Sequence, residues 1–265
     1  MSGGPQTRPS LDDVTLVAVT SVAPLATIEA LEASMREADF AEALFLSDQP
    51  PARANPRLTW RRIDRLASRA DYSRFMLRDL AEHIATTHAL CVQWDGFVLN
   101  GQSWDPRFLD YDYIGAVWPQ FTDGGNVGNG GFSLRSQRLL RAGRDLPSNG
   151  AVSEDVTIGR IYRPWLEERG MRFAPEEVAR KFAYERTEPC GREFGFHGVF
   201  NLVALLPPPD AIQLLRSLEP QVLARSEHHE LLRWALRHGR FRLALTILSR
   251  LRTRQALSAA HHGST

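Results

Sequence analysis

The chain has little cysteine, a single lysine and no long apolar run. Two cysteines in 265 residues, Cys91 and Cys190, cannot build a disulfide framework, so the fold must rest on its own core. The one lysine, Lys181, does not follow a glycine, which excludes a Gly-Lys-Ser/Thr phosphate loop. No stretch approaches the roughly eighteen apolar residues of a membrane span. The opening MSGGPQTRPS lacks the apolar centre of a secretion signal. These absences predict a soluble protein of a reducing compartment, cytoplasmic or peripheral at the inner face of the membrane. A net charge of +1 removes any global pull toward nucleic acid. The basic residues are almost all arginine, which fits a GC-rich genome better than a binding role.

Enough remains to build a large core. A chain of this length buries roughly 75% of its unfolded surface and suits one large domain with an appendage. VTLVAVTSV (14–22), ALFLS (43–47), RLTWRRI (57–63) and HALCVQW (88–94) read as strands, the first of the type buried on both faces. Helical spacing follows Pro24, and DYSRFMLRDLAEHI (71–84) reads as a helix capped by Asp71. Such alternation predicts an α/β fold with a mostly parallel central sheet. Later, YDYIGAVW (111–118) and GFSLRS read as strands, Ser153 caps a helix running to Glu168, and Gly170 ends it. PEEVARKFAYE (175–185) reads as a further helix, with Pro and two acids in its first turn. Prolines 207–209 break the chain before an arginine-rich helical segment, two helices around Gly239. The expected organisation is a disordered lead (1–11), a catalytic-type domain (12–206), a helical appendage (207–258) and a disordered tail (259–265).

Four stretches could carry chemistry. In QWDG (93–96), Asp95 stands at a strand's C-terminal end, where open α/β sheets bind ligands. DGGNVGNGG (123–131) packs five glycines into nine positions, yet it lacks the spacing of a dinucleotide fingerprint. SEDVTIG (153–159) places Glu154 and Asp155 in a helix's first turn, and FGFHG (194–198) sets His197 among aromatics and glycines. Each has a plainer explanation alone: an Asp-Gly turn, a tight bend, acids on a helix dipole, a packed histidine. Their order is what adds information.

In that order the sequence resembles the GT-A glycosyltransferases, which use a nucleotide-sugar donor. GNGGFSLRS followed by SEDVTIG is similar to the beta-1,3-galactosyltransferase and Fringe-like enzymes. QWDG and FLDYDYIGAVW add a likeness to a bacterial and fungal family regarded as GT-A-like. The resemblance spans roughly residues 14 to 203. It implies a single GT-A-like (Rossmann-like) domain and transfer of a sugar, from UDP above all, to a hydroxyl of a glycan, lipid-linked or small-molecule acceptor. It implies donor contacts at Gln93, Trp94, Asp95, Gly96, Asn129, Gly130, Gly131 and Arg135, with Arg192 another candidate for phosphate charge. Glycines 128, 130 and 131 would bring backbone amides against the donor sugar. Asp95 and His197 would hold Mn²⁺ or Mg²⁺, although Gln93 stands where the family has an acid. Asp155, with Glu154 as second choice, would be the general base of an inverting reaction. The competing readings are a non-catalytic relative that binds nucleotide-sugar and recruits partners through its helices, and another nucleotide enzyme on an α/β sheet.

Overall fold

The computed structural model describes residues 7–147, 150–219 and 222–262, and side chains as far as residue 254. The first six residues of the expected lead and residues 263–265 of the expected tail lie outside it. The chain divides into two units after Gly198, earlier than the proline run at 207–209.

The first unit is built on a six-stranded sheet. Its elements run β1 (Ser10–Val19), α1 (Pro24–Glu37), β2 (Asp39–Ser47), β3 (Thr59–Arg62), α2 (Arg69–Arg78), β4 (His88–Val92), β5 (Tyr113–Ile114) and β6 (Phe132–Ser136). Strand order is β3-β2-β1-β4-β6-β5. The first four strands are parallel, and β6 runs antiparallel to both β4 and β5. The expected mixed α/β sheet, mostly parallel, is therefore present. Both faces are covered, which is why β1 reads as one apolar run. Leu16 and Ala18 pack with Ile28 and Leu31 of α1, while Val17 and Val19 pack with Phe75 and Met76 of α2 on the other face.

Further on come α3 (Gln137–Gly143), α4 (Glu154–Val156), α5 (Arg163–Glu167), α6 (Glu176–Phe182), β7 (Ala183–Tyr184) and β8 (Gly195–Phe196). Three local expectations are corrected here. Ser68, not Asp71, caps α2, its hydroxyl accepting from the Asp71 N–H. The helix expected from Ser153 to Glu168 is split by a π turn at Thr157–Ile161, and Pro164 then starts α5. The strand expected over 111–118 reduces to Tyr113–Ile114, with Val117 bridging Val127 beyond it. Disorder to residue 11 is also replaced, since β1 begins at Ser10.

The second unit holds α7 (Val199–Leu205), α8 (Pro208–Ser217), α9 (Arg225–Arg237) and α10 (Phe241–His262). Gly239, at φ 65°, makes the expected turn between the last two helices. The disordered tail expected from 259 is corrected as far as His262, because α10 continues to that residue. No helix among the described residues is long and apolar enough to cross a membrane.

Candidate functional site

Sheet register brings the separated motifs together. Val92, the last residue of β4, pairs with Phe132, the first of β6. Residues 93–96 leaving β4 and residues 129–131 entering β6 therefore share one sheet edge. His197 arrives through the small two-stranded sheet. Parallel β7 and β8 pair Tyr184 with Phe196, so the next residues, Glu185 and His197, emerge side by side.

The contacts follow from that placement. His197 Nε2 lies 3.4 Å from Asp95 Oδ1 and 3.3 Å from Gln93 Oε1, while its Nδ1 lies 3.1 Å from Glu185 Oε1. Gln93 donates its amide hydrogen to the Tyr72 hydroxyl, which turns the amide oxygen toward His197. Asn129, at φ 70°, accepts the N–H groups of Gly131 and Phe132 on Oδ1. Its NH2 therefore faces His197, 3.0 Å from Nδ1. Burial alone would lower the imidazole pKa, but the Asp95 and Glu185 carboxylates outweigh it and raise it to about 10. Burial pushes Glu185 upward, and the imidazole and Asn129 hold it below the usual carboxylate range.

At the next residue of the glycine loop, Asp155 Oδ2 accepts the Gly130 N–H at 3.0 Å, and Oδ1 accepts from Val156. Its carboxylate is half-buried; its neighbour Glu154 is buried and pairs with Arg135 at 3.1 Å. Arg135 is 0% exposed and also donates to Ser133 Oγ and the Gly130 carbonyl. Burial works against its charge, and the surrounding groups, Glu154 among them, hold its pKa above the ordinary value. The expected donor contact at Arg135 is thereby corrected, since a guanidinium enclosed in the core cannot meet a diphosphate. Glu154 also lies against Gly130 but is committed to that pair, whereas Asp155 is half-buried and bonded only to backbone N–H groups in the contacts described.

The glycines serve the protein first. A Cβ on Gly128 would sit 2.1 Å from the Trp118 ring, one on Gly130 2.1 Å from Glu154 Oε1, and one on Gly131 2.0 Å from His197 Nε2. The Gly130 and Gly131 N–H groups already have acceptors, which corrects the expectation that they reach a donor sugar. Gly96 closes its turn by donating to the Gln93 carbonyl and lies against the backbone of Phe196 and His197. Trp94 is half-buried beside it, and Arg192 is exposed.

Two residues here carried no signal of their own in the sequence. Glu185 is an acid at the end of a helix-like segment, and Tyr72 an aromatic on an amphipathic helix. Only the β7–β8 register and the packing of α2 under Gln93 bring them in.

Three donor atoms converge here, Gln93 Oε1, Asp95 Oδ1 and His197 Nε2. Asp95 is 7% exposed, and its Oδ1 accepts no hydrogen bond but faces the His197 imidazolium at 3.4 Å. Donor atoms about 3 Å apart match neighbouring positions around an ion with bonds of roughly 2.0–2.6 Å. Glu185 behind the imidazole matches the carboxylate–histidine arrangement that orients a metal ligand. Binding must displace the imidazole proton. Only two of these donors are acid or imidazole; among the described residues no cluster of three or more His, Cys, Asp or Glu could hold a metal.

Further along the same edge, Ala18 of β1 pairs with Val92, so Thr20 and Ser21 leave the sheet beside Gln93. A cavity of about 240 Å³ opens there, lined by Thr20, Ser21, Ser47, Asp48, Gln49 and Arg65. A larger one, about 680 Å³, lies between the end of β3 and α2 and shares Arg65.

Two solved structures are similar in outline. One, a galactosyltransferase LgtC in complex with donor and acceptor sugar analogs, is 13% identical, with a TM-score of 0.40 over 71% of this chain and 86% of that one. The other, a glycosyltransferase involved in glycosylation of the major capsid of PBCV-1, is 13% identical, with a TM-score of 0.45 over 69% of this chain and 92% of that one. Likeness of this size leaves function to be argued from the site itself. No curated protein matches the sequence. Residues 58–197 match the family described as "Protein of unknown function (DUF5672)". That stretch covers more than half of the 265 residues and contains every residue of the cluster from Tyr72 to His197, and the chain belongs to this family.

Proposed function

We propose that the chain is a glycosyltransferase that moves a sugar from a nucleotide-sugar donor, UDP-linked, to an acceptor hydroxyl with inversion. The observation that carries the reading is the loop Asn129–Gly131. It meets His197 through the Asn129 amide and Asp155 through the Gly130 N–H, and His197 in turn meets Gln93 and Asp95. One short loop touching both an acid suited to act as base and a cluster suited to a leaving group is what an in-line displacement needs within reach of a single substrate.

Asp155 takes the acceptor hydroxyl's proton as the oxygen attacks the anomeric carbon; its hydrogen bond from Gly130 fixes the carboxylate's direction. Gln93, Asp95 and His197 would hold Mn²⁺ or Mg²⁺, with imidazole favouring manganese. A cation bound there would supply positive charge for the departing diphosphate. Glu185 keeps His197 oriented, and Tyr72 keeps the Gln93 oxygen aimed inward. The hydroxyls, amide and carboxylate around the 240 Å³ cavity suit the base and ribose, with Arg65 the cation at its rim. With Arg135 enclosed, the metal and Arg65 are left to meet phosphate charge.

The test is release of nucleoside diphosphate from UDP- and GDP-sugars against a panel of hydroxyl acceptors, with Mn²⁺ or with chelator. Product configuration is read by NMR, and Asp155→Asn is the control. Transfer that Asp155→Asn abolishes supports the reading. Nucleotide binding without transfer to any acceptor, or hydrolysis unaffected by Asp155→Asn, would overturn it in favour of a non-catalytic binder.

A further inference from the structure

We propose that the outer face of α10, led by Phe241, Leu245 and Leu248, docks on an anionic lipid surface. This is independent of the reaction proposed above. Helix α10 turns Leu243, Ala244, Ile247 and Leu251 inward, and all four are buried. A helix that merely packed would present polar residues on its other side. Instead Phe241 is 66% exposed, Leu245 67% and Leu248 38%, spaced by four and three residues along one stripe. Leu236, also exposed, lies just ahead of the Gly239 turn. Large side chains left in water along one line mark a contact surface.

The charge around the stripe decides the partner. From Phe241 to His262 the helix contains four arginines and no acid. Arg250 is spent inside the unit, donating to the carbonyls of Leu215, Leu218 and Glu219 at the end of α8. Arg252 continues the stripe one turn beyond Leu248, Arg242 flanks it, and Arg233 and Arg237 are exposed on α9. Among the described residues these four make no ion pair. A second copy would bring arginine against arginine. A nucleic acid would meet the arginines and could stack a base on Phe241, but offers nothing to Leu245 and Leu248. An anionic bilayer answers both, headgroups for the guanidinium groups and acyl chains for the stripe, as interfacial helices do. Because α10 cannot span a membrane, the contact is peripheral.

The experiment is co-sedimentation of the full-length protein with phosphatidylcholine vesicles, with and without phosphatidylserine, at low salt. Sedimentation only with the anionic vesicles is expected. Changing Arg242→Gln and Arg252→Gln together should weaken partitioning about 30-fold, about fivefold for each charge near such a surface. Phe241→Ser with Leu245→Ser should weaken it by more than about tenfold, with circular dichroism unchanged because both residues are exposed. Phe241→Trp keeps the stripe, and the variant-minus-native difference emission, which removes the six native tryptophans, should shift to the blue on anionic vesicles even if the serine variant misfolds. Equal or absent binding to the two vesicle types, or a Phe241→Trp difference emission indifferent to lipid, would overturn the proposal. So would a solution dimer that Leu245→Ser converts to monomer, because the stripe would then belong to a second copy.

Discussion

His197 Nε2 stands 3.4 Å from Asp95 Oδ1, while Glu185 holds the opposite ring nitrogen at 3.1 Å. A buried imidazole between two carboxylates stays protonated, or exchanges its proton for a cation on the Asp95 side. Without metal it therefore ties the two-stranded sheet to the end of β4; with metal it presents a nitrogen ligand already aimed. The same side chain joins fold to proposed chemistry, and this makes the surrounding substitutions informative.

Asp155→Asn keeps an oxygen for the Gly130 N–H and removes the base. Turnover should fall about 10²–10⁴-fold, with the donor KM within a few-fold of the original. Steady-state kinetics on the transfer reaction check this. A variant retaining more than a tenth of wild-type turnover would take the proton acceptor elsewhere.

Glu154→Gln should act on stability instead. It strands the enclosed Arg135 guanidinium without its carboxylate, a cost of roughly 3–5 kcal/mol. Urea denaturation reads that loss, and turnover per folded molecule should be retained. Collapsed turnover with unchanged stability would move the base from Asp155 to Glu154.

Asp95→Ala should weaken nucleotide binding when Mn²⁺ is present and leave it unchanged under chelator, because holding the cation is the one ligand contact assigned to it. Calorimetric titration with UDP under both conditions separates the two. Full activity of the native protein in chelator would remove the metal from the reaction.

Gly131→Ala places a methyl 2.0 Å from His197 Nε2, and the imidazole must swing away. Mn²⁺ affinity should drop at least tenfold if His197 is a ligand, the scale seen when groups that orient a metal ligand are lost. Gly124→Ala is the matched control. That glycine has φ 80° and open space around it, so the change costs about 1 kcal/mol of backbone strain and leaves the site intact. Identical metal affinity in both variants would disconnect His197 from the cation.

Asp112 gives an acid-side signature. Burial pushes its carboxyl up, but Arg138, the Ser136 hydroxyl and the Arg172 N–H hold it below 3.8. A carboxyl depressed in the folded state stabilises above its unfolded pKa, and that contribution fades as pH falls through the folded value. Asp112→Asn should therefore lower Tm near neutral pH, with the gap to wild type closing as pH falls well below 3.8. Thermal melts across that range check it. A gap constant with pH would mean lost packing rather than lost charge.

The central strands themselves were legible because local chemistry enforces them, whereas their order in the sheet came only from the structure. Runs such as Val14–Val19, Leu44–Leu46 and Ala89–Val92 are apolar at almost every position, and only a sheet covered on both faces buries them whole. The helix start at Pro24 and the turn at Gly239 were legible for a similar reason, each resting on one residue's backbone limits. Asp95, the glycine loop, Asp155 and His197 could be named from their order along the chain, but no distance between them could. Register decided that: Val92 opposite Phe132, and Tyr184 opposite Phe196. Burial decided the rest. It enclosed Arg135 and Glu154 in one pair, spent the loop amides on Asp155 and Asn129, and brought Glu185 behind the histidine. Side-chain type and spacing determine what each residue can do; which partner it meets depends on strands paired far apart in the chain, and no local pattern encodes that.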